Sequence, residues 1–517
     1  MSKVFKNIQV GLDDDLEEQL SWLSPNFESF QILKKSTDAR KRGSLKFIYS
    51  VETFGAGESS KKERIELDKI SNIKSMAPVI IVGAGPAGLF AALRLLERGI
   101  KCILIEQGED TQKRILSIAK YWRKGELNTK SNVGFGEGGA GLFSDGKLIT
   151  RIKSEHIPYV MQRLVEFGAP PEIEYLANPH VGSDKIRRVI PKMRARILEL
   201  GGEIRFSTKV SALLFESKSM TGVQVQDLES KEFSEIRSDH VILATGHSSD
   251  IFAHLQENAV FMEGKSFAVG LRIEHKQSLI NKIQHKEFAE HPKLGAANYK
   301  LAYTDKSDGV GVYSFCMCPG GYVLSSGTEH GQLVSNGMSN YNRNSPFANA
   351  ALVLSIDHKK NFGDDLMGGM KYRDEIEKNA FSLVKKSKGF KELPAQYLSD
   401  FLNKKTSASI AKTSSPSGAV SAPLHELFAT DFHSKFSTAL EIFDRRMKGF
   451  INEETVLFGV ESRTSCPVRI TRDNETLESV SHKQLYPCGE GAGYAGGITS
   501  AACDGIRVAD QIFLKLK

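Results

Sequence analysis

Gly83-Ala84-Gly85-Pro86-Ala87-Gly88 sets three glycines at GxGxxG spacing, and its flanks give that spacing a chemical purpose. A β-branched apolar run, Val79–Val82, comes before it and a helical pattern, Pro86–Arg98, follows. The next strand pattern, Lys101–Glu106, ends in an acid. Strand, glycine turn, helix, strand and acid is the arrangement that binds a dinucleotide. Gly83 permits the tight turn, Gly85 lets backbone approach a pyrophosphate, and Gly88 lets helix and strand pack closely. The pyrophosphate then sits at a helix N-terminus, where free N–H groups and the dipole favour an anion. Glu106, with Gln107 beside it, faces the adenosine ribose hydroxyls. Pro86 and Ala87 complete the first turn of the helix.

Three further segments select FAD over a nicotinamide nucleotide. Gly134-Phe135-Gly136-Glu137-Gly138-Gly139-Ala140-Gly141 runs on into Leu142-Phe143-Ser144-Asp145-Gly146-Lys147, with neither a preceding strand nor a following helix expected. Such a loop brings backbone flat against a planar ring, so Gly138, Gly139, Ala140, Gly141 and Ser144 are assigned to the flavin. Ala244-Thr245-Gly246 ends the strand pattern His240–Ala244. Tyr486-Pro487-Cys488-Gly489-Glu490 leads through Gly491–Gly497 to a terminal helix, Ile498–Leu516. Gly491–Gly496 also spells GxGxxG, but it lacks a strand of adequate length in front and a partner strand behind. Its expected role is to close the flavin site: Gly489 and Glu490 at the ribityl chain, Gly497 and Ile498 presenting the helix N-terminus to the pyrimidine edge.

Because the flavin carries the redox chemistry, protein groups are left to orient substrate and tune the ring. Lys147 is placed to reach the flavin N1/C2 region; a surface lysine in an Asp-Gly turn is the competing reading. Cys316-Met317-Cys318 reads either as a redox pair or as a buried turn facing substrate, with Cys318 taken as the catalytic candidate. His247, just past Ala-Thr-Gly, is an acid/base or hydrogen-bonding candidate. Arg272, Arg463 and Arg469 are candidates for clamping an anion or for forming salt bridges.

The elements that must position these residues fall in three parts. Residues 1–75 read as a small α+β module and linker, with strands at Val4–Val10, Phe30–Leu33 and Leu45–Val51 and a helix at Asp13–Leu23. Residues 76–250 and 481–517 supply the nucleotide fold, including a helix at Asp184–Leu200 and a strand-like stretch at Glu203–Phe215. Residues 251–480 look less regular and form the substrate-facing cap. The chain has 517 residues and a net charge of +7, too mild and too dispersed to indicate an acidic polymer partner. The cluster Lys34, Lys35, Arg40, Lys41, Arg42 and Lys46 reads as a solvated face or a phosphate patch. Met1–Leu20 has no apolar signal region, and the apolar stretch Ala77–Leu96 is interrupted by the glycine turn, so a cytoplasmic protein with no membrane span is expected. Six scattered cysteines form no disulfide framework and no second pair for a zinc site.

At family level the chain resembles the bacterial FAD-dependent dehydrogenases of unassigned substrate. These are two-dinucleotide-fold flavoproteins related to aromatic hydroxylases and geranylgeranyl reductases. The resemblance spans essentially the whole length, through Lys34–Val51, Gly136–Leu148, Tyr313–Val323, Glu461–Ile470 and Tyr486–Ser500. It implies an α/β fold: a Rossmann-like FAD-binding domain, a mixed α+β substrate domain and a small N-terminal α+β domain. It also implies Val210 beside the adenine, and it puts glutamate at Glu490 where an aspartate is usual. The expected activity is FAD-dependent oxidation or reduction of a small molecule. An NAD(P)H-dependent flavin monooxygenase and an RNA-interacting protein with structural FAD are the alternatives. With no second nucleotide unit in the chain, NAD(P)H is expected to bind only transiently over the flavin. Nothing in the sequence sets the oligomeric state.

Overall fold

The computed structural model describes residues 2–38, 45–60, 65–70 and 77–517. In front, β1 (Lys3–Gly11), β2 (Ser29–Asp38) and β3 (Lys46–Phe54) form an antiparallel sheet in the order β1-β3-β2, with the helix Leu16–Leu23 beside it. Asp15 caps that helix by accepting from the backbone N–H groups of Glu17 and Glu18. The module has its own small core around Val10, Leu20, Phe47 and Val51. It is tied to the rest of the chain by backbone: Lys35 N–H donates to Tyr175 O and Ala177 N–H to Lys35 O, both at 2.8 Å. Of the basic cluster, Lys35 lies over the ring of Phe47, while Arg40, Lys41 and Arg42 fall outside the described residues.

The nucleotide fold is a parallel sheet of β4 (Val79–Val82), β5 (Cys102–Ile105), β6 (Glu203–Arg205), β10 (Val241–Leu243) and β22 (Leu485–Pro487) in the order β22-β10-β4-β5-β6. Its first strand sits in the middle. The chain runs outward to β5 and β6, then crosses to the other side of β4 for β10 and β22. That reversal opens a crevice at the carboxyl ends of β4 and β10, the place where doubly wound sheets bind ligands. β4 is buried on both faces, which is why it reads as an unbroken Val-Ile-Ile-Val run rather than an alternating one. The stretch expected as one strand, Glu203–Phe215, is two. β6 ends at Arg205, Ser207 takes a left-handed φ of 50°, and β7 (Thr208–Glu216) leaves to form an antiparallel sheet with β8 (Ser219–Asp227) and β9 (Phe233–Arg237).

The cap is far more regular than the sequence suggests. β12 (Phe267–Lys276), β13 (Ala302–Thr304), β14 (Gly311–Cys318), β17 (Phe347–Ile356), β18 (Leu393–Tyr397), β19 (Ala419–Ser421) and β20 (Val456–Glu461) make a seven-stranded sheet in the order β13-β14-β17-β12-β20-β18-β19. Its central strands are buried on both faces, so the period-two alternation that marks a half-exposed strand is missing. Two ribbons complete the cap region: β15 (Gly321–Ser325) with β16 (Ser335–Ser339), and β11 (Met262–Gly264) with β21 (Val468–Ile470). No helix among the described residues is long and apolar enough to cross a membrane.

The helix after β4, Pro86–Glu97, is buried along nearly its whole length and packs on the terminal helix Ile498–Leu516. One carboxylate locks the two helices together. Asp510 accepts from Arg94 at 2.8 and 2.9 Å and from Arg98 at 2.7 Å. Burial alone would raise the Asp510 carboxyl, but the two guanidinium groups prevail and hold it below its ordinary value. Its stabilising contribution is therefore present above the unfolded carboxylate range and is lost as pH falls through the folded value. Asp510→Asn should lower stability by about 1.5–3 kcal/mol near neutral pH. In urea titrations the gap between wild type and variant should narrow below about pH 4. A gap independent of pH would mean that this carboxylate does not tie the helices.

Candidate functional site

A cavity of about 600 Å³ opens at the crevice between β4 and β10. It is walled by the carboxyl ends of the parallel strands, the Gly134–Lys147 loop, β7, the cap and the start of the terminal helix. Two of its walls are helix N-termini without a side-chain cap. One is Gly85 ahead of Pro86, and the other is Gly497 ahead of Ile498. Unsatisfied N–H groups at both ends make the cavity a receptor for groups that accept hydrogen bonds or carry negative charge.

The three fingerprint glycines serve different purposes. A Cβ on Gly83, whose φ is +105°, would stand 2.4 Å from Ala244 O, so this glycine lets the ends of β4 and β10 meet. A Cβ on Gly88 would stand 1.9 Å from Gly83 O, so that glycine is demanded by helix–strand packing. Gly85 differs. Its φ of −77° suits any residue, and a Cβ there would meet only Gly139 Cα, at 3.9 Å. Neither the backbone nor the protein's own packing requires glycine at 85; the space beside it belongs to the cavity.

Glu106 lines the same cavity and is held in place by two backbone donors, Ala84 N–H at 2.9 Å and Gly108 N–H at 2.8 Å. Gln107, Val210, Ala244, Thr245 and Gly246 line it as well, as do Gly83, Pro86 and Ala87. In the glycine loop, Gly139, Ala140, Gly141 and Ser144 face the cavity. Gly138 and Gly88 do not; the Gly138 N–H instead donates to Ala84 O at 2.8 Å, joining the loop to the fingerprint turn. The loop contains one short 3-10 turn, Gly139–Phe143, and the next helix begins only at Ile157. A residue with no sequence signal organises this loop. The buried Arg114 donates to the carbonyls of Asn132, Val133, Gly136 and Glu137 at 2.6 to 3.2 Å. Burial lowers its guanidinium to about 9, which still leaves it charged at neutral pH.

The last glycine segment partly departs from its expected role. Gly497 and Ile498 line the cavity, but Gly489 lies behind it, with its N–H on Asp504 at 2.8 Å. Asp504 is in turn paired with Arg472, an anchor that nothing local in the sequence announces. Glu490 reaches the cavity, yet its carboxylate meets His247 Nε2 at 3.1 Å. The glutamate and the histidine after Ala-Thr-Gly thus form one pair, because the turns after β10 and β22, adjacent parallel strands, emerge side by side.

Lys147 lines the cavity, its ammonium donating to Met317 O and lying 3.7 Å from Asp145. This makes the Asp-Gly-Lys turn part of the site rather than a surface turn. Of the two cap cysteines, Cys318 is fully buried and off the cavity, whereas Cys316 faces it. The expectation for Cys318 is corrected accordingly: an inserted residue in β14 turns the first cysteine, not the second, toward the cavity. Arg272 is buried against Glu461 at 3.0 Å and Asn349 at 2.8 Å. Arg463 is held by both oxygens of Glu377 at 3.1 and 2.9 Å. Arg272 forms a buried structural ion pair off the cavity, whereas Arg463, although paired, lines the cavity wall. Glu461 and Ser335, which the sequence did not single out, line the cap side of the cavity. No group of three or more His, Cys, Asp or Glu able to hold a metal occurs among the described residues.

A doubly wound parallel sheet with its glycine turn, an acid at the end of the second strand and an uncapped helix at the switch point defines the dinucleotide-binding class. The FAD binding domain family matches residues 76–279, and the family described as FAD-dependent protein, C-terminal domain-like, matches residues 266–464. An uncharacterized protein of Clostridium beijerinckii is 40% identical over 532 residues, covering 98% of each chain. A 4-methyl-5-nitrocatechol 5-monooxygenase of Burkholderia sp. is 27% identical over 34% of this chain and 32% of its own length. A geranylgeranyl bacteriochlorophyll reductase-like protein of Thermoplasma acidophilum aligns over 86% of this chain and 80% of its own, at 12% identity and a TM-score of 0.36. The chain belongs to this family of FAD-dependent proteins and is a flavoprotein oxidoreductase, as the resemblance implies.

The contrast among the glycines is directly measurable. Gly85→Val should purify folded, with a melting temperature near that of flavin-free wild type, and without FAD. Gly88→Ala should lower stability by about 1–3 kcal/mol, the range for overpacking a tight contact. A Gly85→Val protein with a full flavin spectrum would remove Gly85 from the ligand's path.

Proposed function

We propose that this chain holds one FAD non-covalently in the crevice cavity and uses it to oxidise or reduce a small molecule admitted on the cap side. In this reading Gly85 and the helix behind it receive the pyrophosphate, Glu106 and Gln107 the ribose, and Val210 the adenine. Gly139–Gly141 and Ser144 lie along the ring system, with Thr245, Gly246, Gly497 and Ile498 around it. Residues 76–250 and 481–517 then make up the nucleotide domain, 251–480 the substrate cap and 1–75 an accessory module. The observation that carries the assignment is the pair of uncapped helix N-termini facing one cavity, one of them opening on a glycine that the protein's own packing does not require. FAD supplies the redox chemistry when bound; the chain binds and orients it and excludes water.

The His247–Glu490 pair sits at the cavity wall with His247 Nδ1 buried and without a partner. We assign this pair to hydrogen bonding at the ribityl–flavin junction, with Glu490 fixing the orientation of the imidazole. Lys147 is positioned to place positive charge toward the reduced ring. All six cysteines are free, which fits a reducing, cytoplasmic location.

An NAD(P)H-dependent monooxygenase is the second reading, favoured by the likeness to the Burkholderia monooxygenase over about a third of this chain. Anaerobic flavin reduction against a metabolite panel that includes NADH and NADPH separates the two. On the dehydrogenase reading a metabolite bleaches the flavin and nicotinamides do so poorly. Calorimetry on the oxidised holoprotein should give an NADPH Kd above about 100 μM, weaker than about −5.5 kcal/mol. Micromolar NADPH binding with fast reduction would establish the monooxygenase reading instead.

A further inference from the structure

The Cys316-Met317-Cys318 segment has features that neither packing nor FAD binding explains. β14 pairs with β17 as far as Phe315 opposite Ala351, and the next aligned pair is Cys318 opposite Asn349, so one extra residue is accommodated between them. Cys316 takes a φ of +45°, a left-handed conformation that costs about 1–3 kcal/mol for a residue with a Cβ. Bulges of this kind re-aim a side chain next to an active site. Here the bulge turns Cys316 to the cavity while leaving Cys318 buried directly behind it, its thiol 3.3 Å from Cys316 O. Lys147 fastens the bulge from the flavin side by donating to the carbonyl of Met317, the residue between the two cysteines. Arg272, fully buried, supplies a second cation on the protein side.

The two thiols are unlike each other, and Cys316 is unlike every other cysteine of the chain. A hydrogen bond from the Cys318 thiol lowers Cys316, and Lys147 and Arg272 add to this against the opposing effect of burial. Sharing that hydrogen bond, together with burial, pushes Cys318 upward. The other four, Cys102, Cys466, Cys488 and Cys503, are all raised by burial. A cavity-facing thiol that is easier to ionise, backed by a buried thiol that is harder to ionise, is the division of labour of a thiol–disulfide couple, one sulfur attacking and the other resolving.

We propose that Cys316 and Cys318 form a redox-active dithiol that exchanges electrons with the flavin, Cys316 being the cavity-facing sulfur. The inference rests on FAD occupying the cavity. In the oxidising direction the pair loses two protons and two electrons as one S–S bond forms between Cys316 and Cys318. Oxidised flavin is the acceptor of both electrons, taking up protons to reach its two-electron-reduced form. In the opposite direction the disulfide is cleaved by the same electrons, and both thiols are restored. No further reactant is needed for balance.

The test is an anaerobic dithionite titration of holoprotein previously oxidised with glutathione disulfide, alongside a count of reactive thiols after denaturation. Native protein should consume about four electron equivalents per flavin, two for the ring and two for the disulfide couple. Cys316→Ser and Cys318→Ser should each consume about two while keeping a full complement of FAD. Denatured oxidised protein should show about two thiols fewer than the six of the reduced chain. Consumption of two equivalents with all six thiols reactive overturns the proposal even if the protein is fully flavinylated. Flavin-free protein oxidised in the same way should not regain its two thiols on dithionite addition; regaining them as fast as the holoprotein keeps the pair and overturns its link to FAD. Should either serine variant fail to fold, the native titration and thiol count decide alone.

Discussion

Backbone meets backbone where β4 and β10 end, and the rest of the site depends on that approach. Gly83 stands so close to Ala244 O that a single added carbon would force the strands apart. At this one line the fingerprint turn, the Ala-Thr-Gly turn and the turn after β22 come together, though they are separated by hundreds of residues. Because the three strands are parallel and in register, their turns emerge at the same edge and their N–H groups and side chains converge on one volume. A site recognised by backbone N–H groups and helix termini needs such convergence, since each turn alone offers only a few donors.

The two long helices hold this edge from the other side. Pro86–Glu97 and Ile498–Leu516 both begin at the cavity, so anything that shifts one against the other moves a helix N-terminus relative to the rest of the cavity wall. Asp510, gripping Arg94 and Arg98, resists that shift far from the cavity itself. Arg114 does the same for the glycine loop: a run so rich in glycine has few side chains to hold its backbone, and the guanidinium settles its carbonyls. Arg94 and Arg114 are buried and Arg98 is half-buried, and none of the three lines the cavity.

The cap approaches as a sheet rather than as a set of loops. Its central strands are covered on both faces and bury polar residues such as Arg272, Glu274 and Asn349 among apolar ones, so they lack the inside–outside alternation by which a strand is recognised. What the cap contributes to the cavity comes from its irregularities. The bulge in β14 presents Cys316, and the end of β20 presents Glu461, with Arg272 beneath both. A regular sheet would have buried these groups or turned them to the opposite face, since a one-residue change of register reverses every side chain.

Taken by itself, the sequence determined the cofactor class, the first βαβ unit, the terminal helix and most of the glycine-turn residues that line the cavity. These depend on contiguous segments whose glycine spacing dictates local backbone geometry, and local geometry is what a short stretch of residues can specify. The tertiary structure alone decided which cysteine of the CxC faces the cavity, that Glu490 pairs with His247, that Asp504 rather than Glu490 anchors Gly489, and that Arg114 shapes the glycine loop. Each of those depends on a bulge or on a contact between segments distant in the chain. Such contacts follow from how the sheets are stacked and registered, and no spacing within a single segment encodes that.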